Sequence, residues 1–276
     1  MRCLFLLIFC SFLSLASDTA LIASFNSLKL GENQKDYYQF SKVISKFDLI
    51  GLQEVMNENS LKIVKKNLEN ITNSKWEYHI SEYSVGSSEY KEYYAYIWRK
   101  EKVSMEKVIG FYNEKDPNDF MREPYGVKFK IGKFDFIYVL AHSIFGSRER
   151  ERILEAARYI LVYNYFKNID IIEKDVIIAG DFNLPANNMG FRKLLKHEDE
   201  IEFILDPEKD LTTLGKNSTV SAYDNFFISK KNIKEFTGKY GVYNYTKNNY
   251  NDIKKYISDH MPIFIEVETS MEKYLI

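Results

Sequence analysis

Hydrophobic runs rich in Ile, Val, Phe and Tyr recur at 21–25, 49–52, 94–98, 127–129, 136–141, 176–179, 225–228 and 263–267, several bounded by Gly, Asp or Asn. Short β-branched and aromatic runs with such borders predict strands. Between some of them the apolar residues return at a helical period instead. The clearest case is 149–166, where Ile153, Leu154, Ala157, Ile160 and Leu161 fall on one stripe and predict one amphipathic helix. Weaker helical patterns cover 36–47 and 58–68. No repeat, Pro/Ser-rich linker or low-complexity tract divides 19–276, so one continuous domain is expected over 17–276.

The polar residues of interest stand where these strands stop. Asn26, Glu54, His142, Asp181 with Asn183, Asp224, and Asp259 with His260 each close an apolar run, follow it or start the next. Polar groups at the tips of buried strands converge on one rim of a sheet, where a rigid scaffold can hold a site. Each signal taken alone also has an ordinary structural reading. Gly180-Asp181-Phe182-Asn183 reads equally as an Asx turn, Glu54 as a solvated strand-end acid, Asp224 as a strand-start cap, and Asp259-His260 as a buried structural pair. The other two histidines, His79 and His197, lack such settings and read as surface residues.

Composition limits the classes of protein this can be. Apolar residues at 45% with a mean hydropathy of -0.34 describe a globular chain able to bury a large core. The abundance of Tyr (21) and Phe (20), alongside Lys, Asn and Ile, reads as the residue bias of an A+T-rich genome rather than as a base-stacking surface. Arg2 followed by the apolar run Cys3 to Ala16, with Ser14 and Ala16 at the small-residue positions, predicts a secretory leader over 1–16 and hence export. That run is shorter than the ~20 residues a spanning helix needs, so no stable membrane insertion of the mature form is expected. Both cysteines, Cys3 and Cys10, fall in the leader. A mature chain without thiols excludes cysteine catalysis, zinc-thiolate sites and iron-sulfur clusters. The formal net charge of -1 means that any attraction for phosphate must be local.

Phosphodiester hydrolysis requires charge offset at the phosphoryl oxygens, a base to activate water and an acid to protonate the leaving oxygen. The strand-end carboxylates and the two strand-end histidines supply these groups. Hard oxygen ligands suit Mg²⁺, which keeps several waters and uses one or two carboxylates.

The order of the motifs adds what no single motif carries. Ser24-Phe25-Asn26, Leu52-Gln53-Glu54-Val55, Ser81-Glu82, Tyr90-Lys91-Glu92 with Ile97-Trp98-Arg99, Arg122-Glu123-Pro124, Ala141-His142, Gly180-Asp181-Phe182-Asn183, Ala222-Tyr223-Asp224 and Ser258-Asp259-His260 together resemble the endonuclease/exonuclease/phosphatase superfamily and, within it, the deoxyribonuclease I group. The resemblance runs from about residue 20 to 268. It implies an α/β (α+β) four-layer sandwich, two packed and mostly antiparallel β-sheets flanked by helices, with the site at one edge. It implies that Glu54 is the main metal ligand, with Asn26 and Asp259 near the ion directly or through water. Mg²⁺ is the implied cofactor, with Ca²⁺ or Mn²⁺ as alternatives. By the same resemblance His260 with Asp224 is the base pair and His142 with Glu82 the acid pair, giving 5′-phosphate products. Asp181 and Asn183 hold the water and the scissile phosphate, and Arg122 and Tyr223 contact phosphate. The implied substrate is DNA, with RNA as an extension, acted on by a monomer; a sphingomyelinase or phospholipase C-type activity is the alternative within the superfamily.

Three features depart from the group. Met56 follows Glu54-Val55 where an arginine that enters the minor groove is expected, the group's disulfides are absent, and segment 143–152 is unusually basic. That segment reads either as a solvated helix start or as a phosphate contact.

Overall fold

The computed structural model describes residues 19–270 apart from 33, 117–118, 170–173 and 248. The leader expected over 1–16 lies outside the described residues. All eight predicted strands lie within observed strands, and the chain builds two sheets from them. Across the first sheet run Phe236–Val242, Ile263–Glu268, Thr19–Leu30, Leu49–Val55, Lys91–Arg99 and Trp76–Ile80, with the short Val85–Gly86 also on Lys91–Arg99. Across the second run Ile201–Phe203, Asp224–Ser229, Val176–Asp181, Phe134–His142, Tyr125–Ile131 and Val103–Phe111. Each sheet contains one parallel pair, Thr19–Leu30 with Leu49–Val55 and Phe134–His142 with Val176–Asp181, and is otherwise antiparallel.

Period-2 alternation sorts the side chains into three apolar layers. Tyr94, Tyr96 and Trp98 of the first sheet meet Phe129, Phe136, Tyr138 and Phe226 of the second in the central core. On the outer face of the first sheet, Phe40 and Ile44 of helix Tyr37–Ile44 and Leu61, Val64 and Leu68 of helix Glu58–Thr72 cover Phe25, Ile50 and Ile97. On the outer face of the second, Tyr159, Val162, Tyr163 and Phe166 cover Ile137, Val139 and Ile178. The expected four-layer sandwich of helix, sheet, sheet and helix is therefore present. Its helices have local stop and start signals: Asn57 Oδ1 accepts from Ser60 N at 3.1 Å to cap Glu58–Thr72, and Asn73 ends it in the left-handed region. Among the described residues no helix is long and apolar enough to cross a membrane.

Two expectations change. The helix expected over 149–166 is two, Glu149–Ala156 and Tyr159–Lys167, broken where Arg158 N turns to Glu155 O. The break rotates the second half so that Tyr159, Val162, Tyr163 and Phe166 face the sheet, while Leu154 and Leu161 of the expected stripe stay exposed. Arg158, at the junction, is held to Asp119 at 2.5 Å. Beside the shorter Trp76–Ile80, Val85–Gly86 and Ile201–Phe203, the strands Val103–Phe111 and Phe236–Val242 lie outside the expected runs. Each of these two longer strands forms one edge of its sheet and exposes most of its length, and an edge strand needs no apolar alternation.

Candidate active site

The strand ends meet as the sequence pattern predicts. Glu54, Arg122, His142, Asp181, Asn183, Tyr223, Asp259 and His260 line one cleft of about 450 Å³ at the rim of the two sheets. Asp224 and Asn26 lie just beneath it, buried. Parallel pairing of His142 with Asp181, and antiparallel pairing of Asp224 with Asp181, places three of these residues side by side on neighbouring strands. Gly180 makes that pairing possible. A Cβ on it, at φ +153°, would stand 1.8 Å from the carbonyl oxygen of Ala141.

Asp181 is the hub. Its Oδ2 accepts from Asn26 Nδ2 at 3.1 Å and lies 3.4 Å from His260 Nε2 and 3.6 Å from His142 Nε2. Its Oδ1 accepts from the backbone N–H of Asn183 at 2.9 Å. Burial opposes the charge on Asp181, but the two imidazoles and these hydrogen bonds outweigh it and hold the carboxyl below its ordinary 3.8. Asn183 sits in the left-handed region at φ +50° and donates through Nδ2 to Ser143 O at 2.9 Å, so the strand-end turn is locked to the loop after His142.

Each imidazole has a second, buried carboxylate behind it. His260 Nδ1 donates to Asp224 Oδ2 at 2.7 Å, and Thr212 Oγ1 donates to the same oxygen at 2.6 Å. Burial disfavours the imidazolium, yet Asp224, Asp181 and Asp259 together raise the pKa of His260 well above 6.5. Burial also pushes Asp224 up, and the shared proton belongs on the imidazole, because a second carboxylate faces only that partner's far nitrogen.

His142 Nδ1 donates to Glu92 Oε1 at 2.8 Å. This corrects the expected pairing with Glu82. Glu82 is exposed and lies against the phenol of Tyr125, whose hydroxyl also meets His79 Nε2 at 2.7 Å. Glu92 is fully buried, with Arg122 Nε 3.0 Å from its Oε2 and the Glu54 N–H donating to its Oε1 at 3.2 Å. Burial works against both charges; Glu92 nevertheless holds the pKa of His142 above 6.5, while Arg122 pulls the other way. Strand periodicity carried the signal that finds Glu92. It lies two residues before Tyr94 and shares its inward face with Tyr94, Tyr96 and Trp98, so it is an acid aimed into the core. His79 and His197 are half-buried rather than surface residues, and His197 bonds Asn164 Oδ1 at 3.1 Å.

Glu54 occupies the left-handed region at φ +56°, a conformation that costs a non-glycine residue roughly 1–3 kcal/mol. Its carboxylate is held from three sides: Oε1 accepts from Asn26 Nδ2 at 3.0 Å, and Oε2 from Lys29 N–H at 3.1 Å and Tyr90 O–H at 3.0 Å. Asn26 turns its nitrogen to the two acids and gives its oxygen to Leu28 N–H at 3.0 Å, so in this arrangement it positions Glu54 and Asp181. Glu54 and Asp259 also act together on Lys35, whose pKa burial lowers to about 8 against the pull of both carboxylates. Two carboxylates that share a cleft and a common field, with room for water, fit a hard divalent cation. Asp181, Asp224 and His260 also lie close enough together to hold an ion. Asp224 and His260 spend their facing atoms on each other, whereas Glu54 and Asp259 are half-buried acids on the cleft wall. Arg122 is largely engaged: beside Glu92, its guanidinium lies 3.5 and 3.4 Å from the carbonyls of His142 and Ser143 and 5.5 Å from the Tyr90 ring.

The family model described as Endonuclease/Exonuclease/phosphatase family matches residues 23–260. A deoxyribonuclease of Thioalkalivibrio sp. (strain K90mix) is 26% identical over 269 residues, covering 90% of this chain and 70% of the relative. Deoxyribonuclease-1-like 2 of Mus musculus is 27% identical over 279 residues, covering 93% and 95%. Among solved structures, an endonuclease/exonuclease/phosphatase family protein from Bacteroides thetaiotaomicron superposes with a TM-score of 0.61 at 19% identity, covering 90% of this chain and 94% of the other.

Proposed function

The chain belongs to the endonuclease/exonuclease/phosphatase family, and from that premise we propose that it is a metal-dependent endonuclease that hydrolyses DNA phosphodiesters to 5′-phosphate products. The observation that carries the reading is the convergence of His142 Nε2 and His260 Nε2 on one oxygen of Asp181, each imidazole backed at Nδ1 by a buried carboxylate. Two imidazoles facing one cleft supply the paired acid and base that an in-line displacement at phosphorus needs. Deoxyribonucleases among the relatives support DNA as the substrate.

Glu54 and Asp259 would hold the divalent cation, Mg²⁺ first, which would offset the charge on the phosphoryl oxygens. His142 is the acid. Glu92 raises its pKa above the ordinary 6.5, which favours retention of the Nε2 proton for the leaving 3′ oxygen, and fixes the ring that delivers it. His260 is the base. It carries the field of Asp224, Asp181 and Asp259, and it takes a proton from water only where that field is partly neutralised. Asp181 and Asn183 orient the water and the phosphate between the rings, with Tyr223 on the cleft wall. Export after loss of residues 1–16, and action as a monomer, complete the reading; the apolar run after Arg2 supports the first.

The test offers plasmid, RNA and sphingomyelin vesicles side by side to the purified protein, with Mg²⁺ or with chelator. Mg²⁺-dependent nicking of plasmid to 5′-phosphate ends is expected, and His142→Ala or His260→Ala should each slow it by roughly 10²–10⁴-fold. Normal hydrolysis by a well-folded His142→Ala/His260→Ala double variant would overturn the assignment. So would phosphocholine release with DNA left intact.

A further inference from the structure

One wall of the cleft carries a residue that the hydrolytic machinery does not use. Phe145, three residues after His142, lines the cleft and is 61% exposed. An aromatic ring left in water beside a charged site forfeits the burial that normally holds it in a fold. The loop bearing it is nevertheless tied down on both sides. Ser143 N–H donates to Asp181 O at 2.8 Å, Ile144 N–H to Glu155 Oε1 at 2.8 Å, and Ser147 N–H to Glu151 Oε2 at 3.0 Å. Gly146 turns the chain at φ +59°, where a Cβ would meet Glu151 Oε2 at 2.3 Å. The ring is thus presented on a pinned loop.

Arg152, in the helix that follows, stands against this ring with its guanidinium carbon 5.2 Å from the ring centroid. Its Nε is buried without a hydrogen-bond partner among the described residues. The guanidinium lies over one face of the ring, an attractive cation–π contact that keeps a positive charge beside it. The same cleft also carries apolar lining at Leu214 and the exposed Val220.

We propose that Phe145, backed by Arg152, is a specificity-determining residue: a platform on which an unpaired base beside the scissile phosphate stacks, so that the site prefers single-stranded or locally opened DNA to closed duplex. This rests on the nuclease reading above. Inside a duplex both faces of each base are already covered by neighbouring bases, and exposing one costs unstacking energy. A base in a single strand has a free face, and aromatic stacking accepts any of the four. The near-neutral net charge of -1 leaves little general attraction for the denser charge of a duplex, which gives the local contact more weight.

The experiment compares kcat/KM for one labelled oligonucleotide, single-stranded and annealed to its complement, using the full protein with Mg²⁺ and its Phe145→Ala, Phe145→Leu and Phe145→Trp variants. The ratio of single-strand to duplex kcat/KM should fall about tenfold in the Ala and Leu variants through a higher KM, and hold in the Trp variant. Thermal melts should stay close to that of the unaltered protein, since the ring is exposed. An unchanged ratio in all three variants, with both oligonucleotides still cut, overturns the platform and leaves the nuclease reading standing. So does an equal loss on both substrates, which marks a general groove contact. If the unaltered protein cuts neither oligonucleotide with any divalent cation, the nuclease reading fails and this inference fails with it.

Discussion

Replacing Glu92 by Gln separates the two glutamates that the linear sequence confuses. Gln keeps the volume and one acceptor oxygen but removes the charge between His142 Nδ1 at 2.8 Å and Arg122 Nε at 3.0 Å. His142 then loses the chief interaction that raises its pKa, and Arg122 is left buried without its counter-charge. Losing a positioned acid is expected to reduce kcat by roughly 10²–10⁴-fold. Stripping one partner from a buried ion pair is expected to cost about 3 kcal/mol of stability, a fall in Tm of roughly 6–12 °C at this chain length. The pH profile carries the sign. An acid catalyst works while protonated, so activity fades as pH rises through the pKa of His142; with that pKa lowered in Glu92→Gln, the alkaline limb should move to lower pH. Plasmid nicking under saturating Mg²⁺ from pH 5.5 to 9, with a melt at each end, measures all three effects. Glu82→Gln, whose side chain is exposed and remote from either imidazole, should stay within about twofold. If Glu92→Gln keeps near-normal kcat while Glu82→Gln loses a hundredfold, the structural pairing is refuted.

Other outcomes follow from single distances. Gly180→Ala should lose more than about 4 kcal/mol in a denaturant melt or fail to fold, because its methyl meets backbone at 1.8 Å; Gly51→Ala, which meets the movable end of Leu140, should lose only about 1–3 kcal/mol. Tyr90→Phe removes a hydroxyl from Glu54 Oε2 and should raise the Mg²⁺ needed for half-maximal rate roughly tenfold, read from a metal titration at fixed DNA. Asp199→Asn removes the charge that faces Lys167 and weakens the hydrogen bond from Tyr163 O–H, together worth about 2 kcal/mol. Burial opposes the charge on Asp199, but these partners hold its pKa below 3.8. Its stability is therefore present above pH 4 and fades as pH falls through the depressed value, so the gap between variant and unaltered protein in urea melts should close in acid.

The eight inner strands and nearly the whole set of strand-end polar residues are legible in the order of amino acids alone, because a buried strand must be apolar along its length and shows plainly where it stops. Glu54, His142, Asp181, Asn183, Asp259 and His260 were legible for that reason, and the cleft unites them. Edge strands such as Val103–Phe111 were not, since a strand exposed on one side has no pattern to impose. Pairing was decided by tertiary structure alone. Glu82 and Glu92 sit ten positions apart in one polar stretch; strand period marks Glu92 as inward-facing, but only the packing of the two sheets decides that it meets His142 while Glu82 faces solvent. The same holds for Phe145, Arg152 and the break at Arg158. A ring on a cation and a kinked helix depend on how a loop docks against a neighbouring element, and that docking is set by packing between segments far apart in the chain, which local sequence does not encode.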